Sequence, residues 1–100
     1  MKQVKKETFN KEILEDKGLV LVDFFATWCG PCMALQNELE TLEKEYKDKL
    51  KICKVNVDEE PELAMEFNIV SIPYVRIYDN GKLKNEFLGY RSYEEIKKFL

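Results

Sequence analysis

The sequence predicts an α/β fold, a three-layer α/β/α sandwich built on a mixed central sheet. Three observations lead there. Leu19–Phe25 (LVLVDFF) is almost wholly apolar, which suits a strand buried on both faces of a sheet. A long amphipathic stretch separates it from a second strand-like run, and strand, helix, strand in that order implies a right-handed parallel crossover. Further on, Asn80-Gly81 joins two more strand-like runs with the dipeptide that a type I′ hairpin prefers, so the sheet gains antiparallel members.

Taken in order, the elements are these. A short strand is expected near Gln3–Lys6. Thr8 then caps a helix carrying Phe9, Ile13 and Leu14 on one face and ending at Gly18. After the buried strand, a helix from about Cys29 to Tyr46 places Leu35, Leu39, Leu42 and Tyr46 at i, i+4, i+7 and i+11. Leu50–Asp58 is the next strand. A short helix at Glu60–Phe67 follows, with Pro61 in its first turn, where a missing N–H costs nothing. Tyr74–Tyr78 and Lys82–Leu88 form the hairpin, and Tyr93–Leu100 closes the chain as a helix with Tyr93, Ile96 and Phe99/Leu100 on one face.

Composition narrows the function classes. One hundred residues suit a single domain over 1–100 with one core. Hydrophobic residues at 45% and charged residues at 35% are ordinary for a soluble globular protein. The 16 basic and 19 acidic residues are interspersed, without a basic stripe, so nucleic acid is not indicated as a partner. Apolar runs are far too short to span a membrane. Met1–Glu7 is basic with no apolar run behind it, so no secretory signal is read and a cytoplasmic location is expected. The excess of Lys and Glu over Arg and Asp resembles hyperthermophile usage, which biased nucleotide composition would equally produce. Three cysteines do not suit a disulfide-stapled scaffold.

Two of those cysteines carry the chemistry. Trp28-Cys29-Gly30-Pro31-Cys32 falls between the buried strand and the long helix. Spacing i, i+3 in a helical turn holds the Cα atoms roughly 5–6 Å apart, within the range a disulfide needs, so the pair can open and close without rebuilding the backbone. Cys29 sits where free helix N–H groups and the positive end of the dipole favour a thiolate. Pro31 occupies a first-turn site that needs no N–H. Gly30 leaves the Cys29 sulfur open, whereas Cys32, one turn in, is more shielded. Cys29 is thus expected to attack a substrate disulfide, and Cys32 to attack Cys29 in turn and release the reduced product; a thiol pKa lowered toward neutrality would keep Cys29 both ionised and nucleophilic. The competing reading is half a zinc site, but zinc wants four ligands, and the chain offers no histidine and one further cysteine.

At WCGPC the sequence resembles the thioredoxin family. LVLVDFFATWCGPC is similar to the family's strand into the active site, KVNVD to its next strand, SIP to its proline loop, and NGK followed by FLGY to its hairpin and closing glycine. The resemblance runs from about Thr8 to Leu100 and implies the thioredoxin fold. Asp23 is anomalous in an apolar strand: it either turns to solvent or a cap, or is buried with a raised pKa. The resemblance matches it to a buried acid that takes the proton from Cys32, and matches Lys54 to a lysine approaching that acid. It implies a cis bond before Pro73, whose neighbouring backbone pairs with extended substrate. Trp28, Ile72, Pro73, Tyr74 and Gly89 would then line a shallow apolar docking surface around Cys29.

The departures concern partners more than chemistry. Met33 stands where a basic residue is frequent, Asn37 replaces the proline that kinks the long helix, Tyr74 replaces a smaller residue and could narrow the groove, and Phe25 replaces a tryptophan. Cys53 is read as a small core hydrophobe. The expected function is a general protein-disulfide reductase, a monomer using no metal or cofactor. Its expected partners are disulfide-containing proteins and a thioredoxin reductase that recharges it. A donor dedicated to one partner and a non-catalytic binding or assembly module are the alternatives.

Overall fold

A computed structural model describes residues 1–100. The apolar run becomes the middle of a five-stranded sheet. Leu19–Phe25 (β2) lies between Lys51–Asn56 (β3), parallel to it, and Tyr74–Asp79 (β4), antiparallel. Lys2–Gln3 (β1) and Lys82–Leu88 (β5) form the edges, giving the order β1-β3-β2-β4-β5. Both faces of β2 are covered, as its composition requires. Val20, Val22 and Phe24 point into one layer with Phe9, Ile13 and Leu63, and Leu21 points into the other with Leu35, Leu39 and Leu42. Those three leucines lie on Gly30–Tyr46 (α2) and are fully buried, each stabilising the fold by about 2 kcal/mol. The helix runs unbroken through Asn37, whose N–H, unlike a proline's, leaves the backbone ladder intact.

Several element ends differ from expectation, each for a local reason. The first strand is Lys2–Gln3 and not Gln3–Lys6, because Lys5 opens the first helix (α1, Lys6–Phe9) and the Lys6 N–H donates to Glu60. Thr8 is therefore inside that helix. Its hydroxyl reaches back, accepting from the Lys5 N–H at 3.1 Å. The helix then widens into a π turn over Asn10–Leu14, with the Glu15 N–H donating to the Asn10 carbonyl, and it stops short of Gly18. Lys51 bridges this turn to β3, donating to both the carbonyl and the carboxylate of Glu12. Hydrogen bonds from Lys2 and Lys51 hold the Glu12 carboxyl down to about 2. β3 ends at Asn56 because the Asn56 Oδ1 accepts from the N–H groups of Asp58 and Glu59, folding the chain into an Asx turn. The short helix is Pro61–Glu66 (α3). The last helix is Tyr93–Lys97 (α4), capped by a Ser92–Glu95 box; beyond it the N–H groups of Phe99 and Leu100 reach only three residues back.

Asn80 (φ 53°) and Gly81 (φ 78°) make the hairpin between β4 and β5, both with the positive φ of a type I′ turn. Gly81 also lies against the carbonyl of Leu14, where an added Cβ would collide with backbone. Gly89 (φ 90°) has open space around it. Gly81→Ala is therefore expected to cost more than the ~1–2 kcal/mol of a left-handed alanine, whereas Gly89→Ala should cost about that alone. Urea denaturation of the two variants checks the difference.

Candidate active site

Where β2 ends, the chain turns through Ala26–Trp28 and enters α2 at Cys29. Cys29 is the N-cap, in extended conformation, and its sulfur accepts from the Cys32 N–H at 3.2 Å. That is the contact an N-cap side chain makes with a free first-turn donor, and it is available because Cys29 precedes the helix by one residue. Pro31 sits in the first turn, as expected. The two cysteines are joined in a disulfide with Cα atoms 5.2 Å apart. They form a small cluster with Phe25 and Ala26, against which Val57 and Ile72 pack. Cys29 is the more accessible of the pair, but narrowly, at 6% against 1% for Cys32. Gly30 and Pro31 are exposed and form the open side, and nothing approaches the Gly30 α-carbon.

Trp28 stands out from the surface at 72% exposure. It is not core packing: its Nε1 donates to Asp58 at 2.8 Å, so the indole is tethered to the turn after β3. Opposite lies the loop before β4, with a cis bond between Ile72 and Pro73. The Pro73 carbonyl accepts from the Gly89 N–H at 2.8 Å, bringing Gly89 beside the loop, while Ile72 takes part in no backbone hydrogen bond of the fold. Tyr74 is not brought to the cysteines. Alternation along β4 sends its ring into the layer of Val20 and Phe24, and its hydroxyl donates to Glu86 at 2.5 Å. The expected narrowing of the groove by this side chain is thus corrected: its ring lies in the other layer and its hydroxyl bonds across to β5.

Asp23 is fully buried in β2, and neither carboxyl oxygen has a hydrogen-bond partner within the protein. Burial pushes its pKa up to about 7, against a smaller opposing pull from the charge of Lys54. The solvent-facing reading of Asp23 is therefore excluded. Lys54 is its register partner on β3. The lysine approaches the acid without pairing with it: its ammonium donates to the Gln36 Oε1 at 2.6 Å and lies 4.3 Å from the centre of the Phe25 ring. Cys53 points into the other layer, fully buried, its thiol pushed up to about 11 by burial, which suits a core residue.

The family pattern for thioredoxin matches residues 1–100. The chain belongs to the thioredoxin family. Thioredoxin from Griffithsia pacifica is 44% identical over 87 residues, covering 87% of this chain and 80% of that one. Thioredoxin from Listeria monocytogenes is 43% identical over 96 residues, covering 96% and 91%. The chloroplastic M-type thioredoxin of Chlamydomonas reinhardtii is 43% identical over 86 residues, covering 86% and 61%. Family membership and the bonded pair Cys29–Cys32 together make the protein a thiol–disulfide oxidoreductase that reduces protein disulfides by dithiol/disulfide exchange. No helix is long and apolar enough to cross a membrane.

Sequence reasoning missed two residues of this site. Asp58 ends the KVNVD segment, and a carboxylate in a turn beside an exposed tryptophan was the available signal. Gln36 lies four residues after Cys32, hence on the same face of α2, a position that only the lysine contact makes meaningful.

The Asp23 carboxyl also sets a pH dependence. Unfolded, it ionises near its ordinary value of 3.8; folded, it holds its proton up to about 7. Between those values the unfolded chain binds fewer protons, so stability is full below about pH 4 and falls as pH rises toward 7, by about 1.4 kcal/mol per unit. In the oxidised protein, Asp23→Asn should therefore be more stable than the parent by roughly 2–4 kcal/mol at pH 8, with the gap closing near pH 4. Denaturant melts at the two pH values check this.

Proposed function

We propose that the protein is a general reductant of cytoplasmic protein disulfides, acting as a monomeric single domain and recharged by a thioredoxin reductase. The observation that carries the reading is the position of Cys29 at the mouth of α2, with Cys32 bonded to it one turn inside. In the reduced protein the helix end and the Cys32 N–H favour the Cys29 thiolate. Cys29 attacks one sulfur of a substrate disulfide, forms a mixed disulfide, and expels the other substrate sulfur as a thiolate. Cys32 then gives its proton to Asp23 and attacks the Cys29 sulfur. The Cys29–Cys32 bond closes, the second substrate thiolate leaves, and two electrons have passed to the substrate.

An acid poised near neutrality suits this task, because it can accept a proton in one step and release it afterwards. Lys54 supplies the neighbouring positive charge that keeps the ionised form accessible. Docking uses the exposed Trp28 indole with the half-buried Ile72 and Gly89, while Pro73, expected on this surface, is itself buried and contributes through the cis bond that shapes the loop. The backbone groups of Ile72, unpaired in the fold, are free to bond an extended substrate strand.

Cys32→Ser is expected to accumulate mixed disulfides through Cys29 with many proteins, and Cys29→Ser to accumulate none; electrophoresis without reductant reads both. A single trapped partner would indicate a dedicated donor, and none at all a binding module. Insulin reduction driven by dithiothreitol should run well above the reagent alone. Asp23→Asn should slow release of a trapped mixed disulfide by on the order of 10- to 100-fold, with the circular dichroism of the parent retained; an unchanged rate would remove Asp23 from the mechanism.

A further inference from the structure

We propose that Gln36 is a positioning residue: its side-chain amide holds the Lys54 ammonium off Asp23 and thereby sets how readily Asp23 exchanges a proton. The inference rests on the reading of Asp23 as the proton acceptor for Cys32, but its test does not. Asp23 and Lys54 are register partners on adjacent parallel strands, ~4.8 Å apart in backbone spacing. Alternation directs both side chains to the α2 side of the sheet, with Leu21 and Ile52 as neighbours on that side. A buried carboxylate beside a flexible ammonium pairs with it unless something else holds the ammonium, because attraction at contact is strong where water is scarce. Here the two do not pair, and both carboxyl oxygens are left without a partner.

What holds the ammonium is visible. The Gln36 Oε1 accepts from the Lys54 Nζ at 2.6 Å, and the Phe25 ring lies beneath that nitrogen at 4.3 Å. Both holders are neutral, so they fix the position of the cation without cancelling its charge. Gln36 reaches the site because it follows Cys32 by four residues on α2. No other side chain hydrogen-bonds either the acid or the ammonium. On this side of β4 stand Val75 and Ile77, while Arg76 is turned into the opposite layer over Phe67 and Tyr78. From α2, Glu40 is tied to the other end of the same amide, its Oε1 accepting from the Gln36 Nε2 at 3.5 Å, and Cys29 and Cys32 are bonded to each other in the oxidised protein.

The test is a carbon-13 NMR titration of the Asp23 carboxyl in the oxidised protein. Gln36→Ala should lower the Asp23 pKa by one unit or more, a tenfold or greater loss of proton affinity, as Lys54 swings onto the acid. Alanine suits a helix interior, and Gln36 is only partly buried, so the fold should tolerate the change. Lys54→Met should raise the pKa, and in that background Gln36→Ala should move it little. Gln36→Glu, which keeps the lysine tethered, should leave it at or above the parent value. An unchanged or raised pKa in Gln36→Ala, or the same drop in the absence of Lys54, overturns the proposal. If the titration shifts as stated while Asp23→Asn leaves the resolving step unchanged, the catalytic role of Asp23 fails and the positioning role of Gln36 stands.

Discussion

The active end of this protein depends on a strand that is covered on both faces and stops directly before a helix. Burial of β2 is driven by its apolar side chains, which fill both layers of the sandwich. That burial fixes where the chain emerges, and Cys29 emerges as the helix N-cap. It also carries Asp23 into the interior, where no water-like environment supports its charge. The nucleophile and the buried acid are therefore consequences of one packing event. A looser β2 would lose both the placement of the thiol and the raised pKa.

The electrostatics at the site follow from that confinement. A carboxyl with no hydrogen-bond partner is held neutral by desolvation, and one restrained cation moderates the effect. The cost is several kcal/mol of stability above neutral pH, on the linkage arithmetic of a three-unit shift. Natural folds retain such a cost where the group is used, which is why the acid, and not the bulk of the core, is the place to look for mechanism. Glu12 makes the contrast. It is an acid in the same chain held down to about 2 by Lys2 and Lys51, and its work is to tie the first helix to the sheet.

Much of this was legible in the sequence, and the reasons are physical. An all-apolar run between helical patterns identifies a central strand, Asn80-Gly81 identifies the hairpin, and Cys-Gly-Pro-Cys at a helix start identifies the redox pair. What escaped were contacts between residues far apart in the chain. The indole of Trp28 on Asp58 and the ammonium of Lys54 on Gln36 are set by how elements stack, which no local pattern encodes. The first helix departs from expectation because Thr8 favours caps in general, whereas here Glu60 takes the Lys6 N–H and the next turn, tied to β3 by Lys51, is a π turn. The family resemblance places Tyr74 at the groove, but strand alternation puts its ring on the other face.

Met33 tests how much of the thiol chemistry a helix end can supply by itself. It stands directly after the second cysteine, 40% exposed and uncharged. The two cysteines cluster with apolar Phe25 and Ala26, against which Val57 and Ile72 pack. Stabilisation of a Cys29 thiolate then draws on the first-turn donors of α2, of which the Cys32 N–H already points at the sulfur at 3.2 Å. Those donors are fixed by the helix and survive any change on the surface, whereas a lysine would add a charge screened by salt. The reactivity of Cys29 should accordingly depend weakly on ionic strength, and its choice of partner should rest on shape and on apolar contact at Trp28 and Ile72 more than on charge.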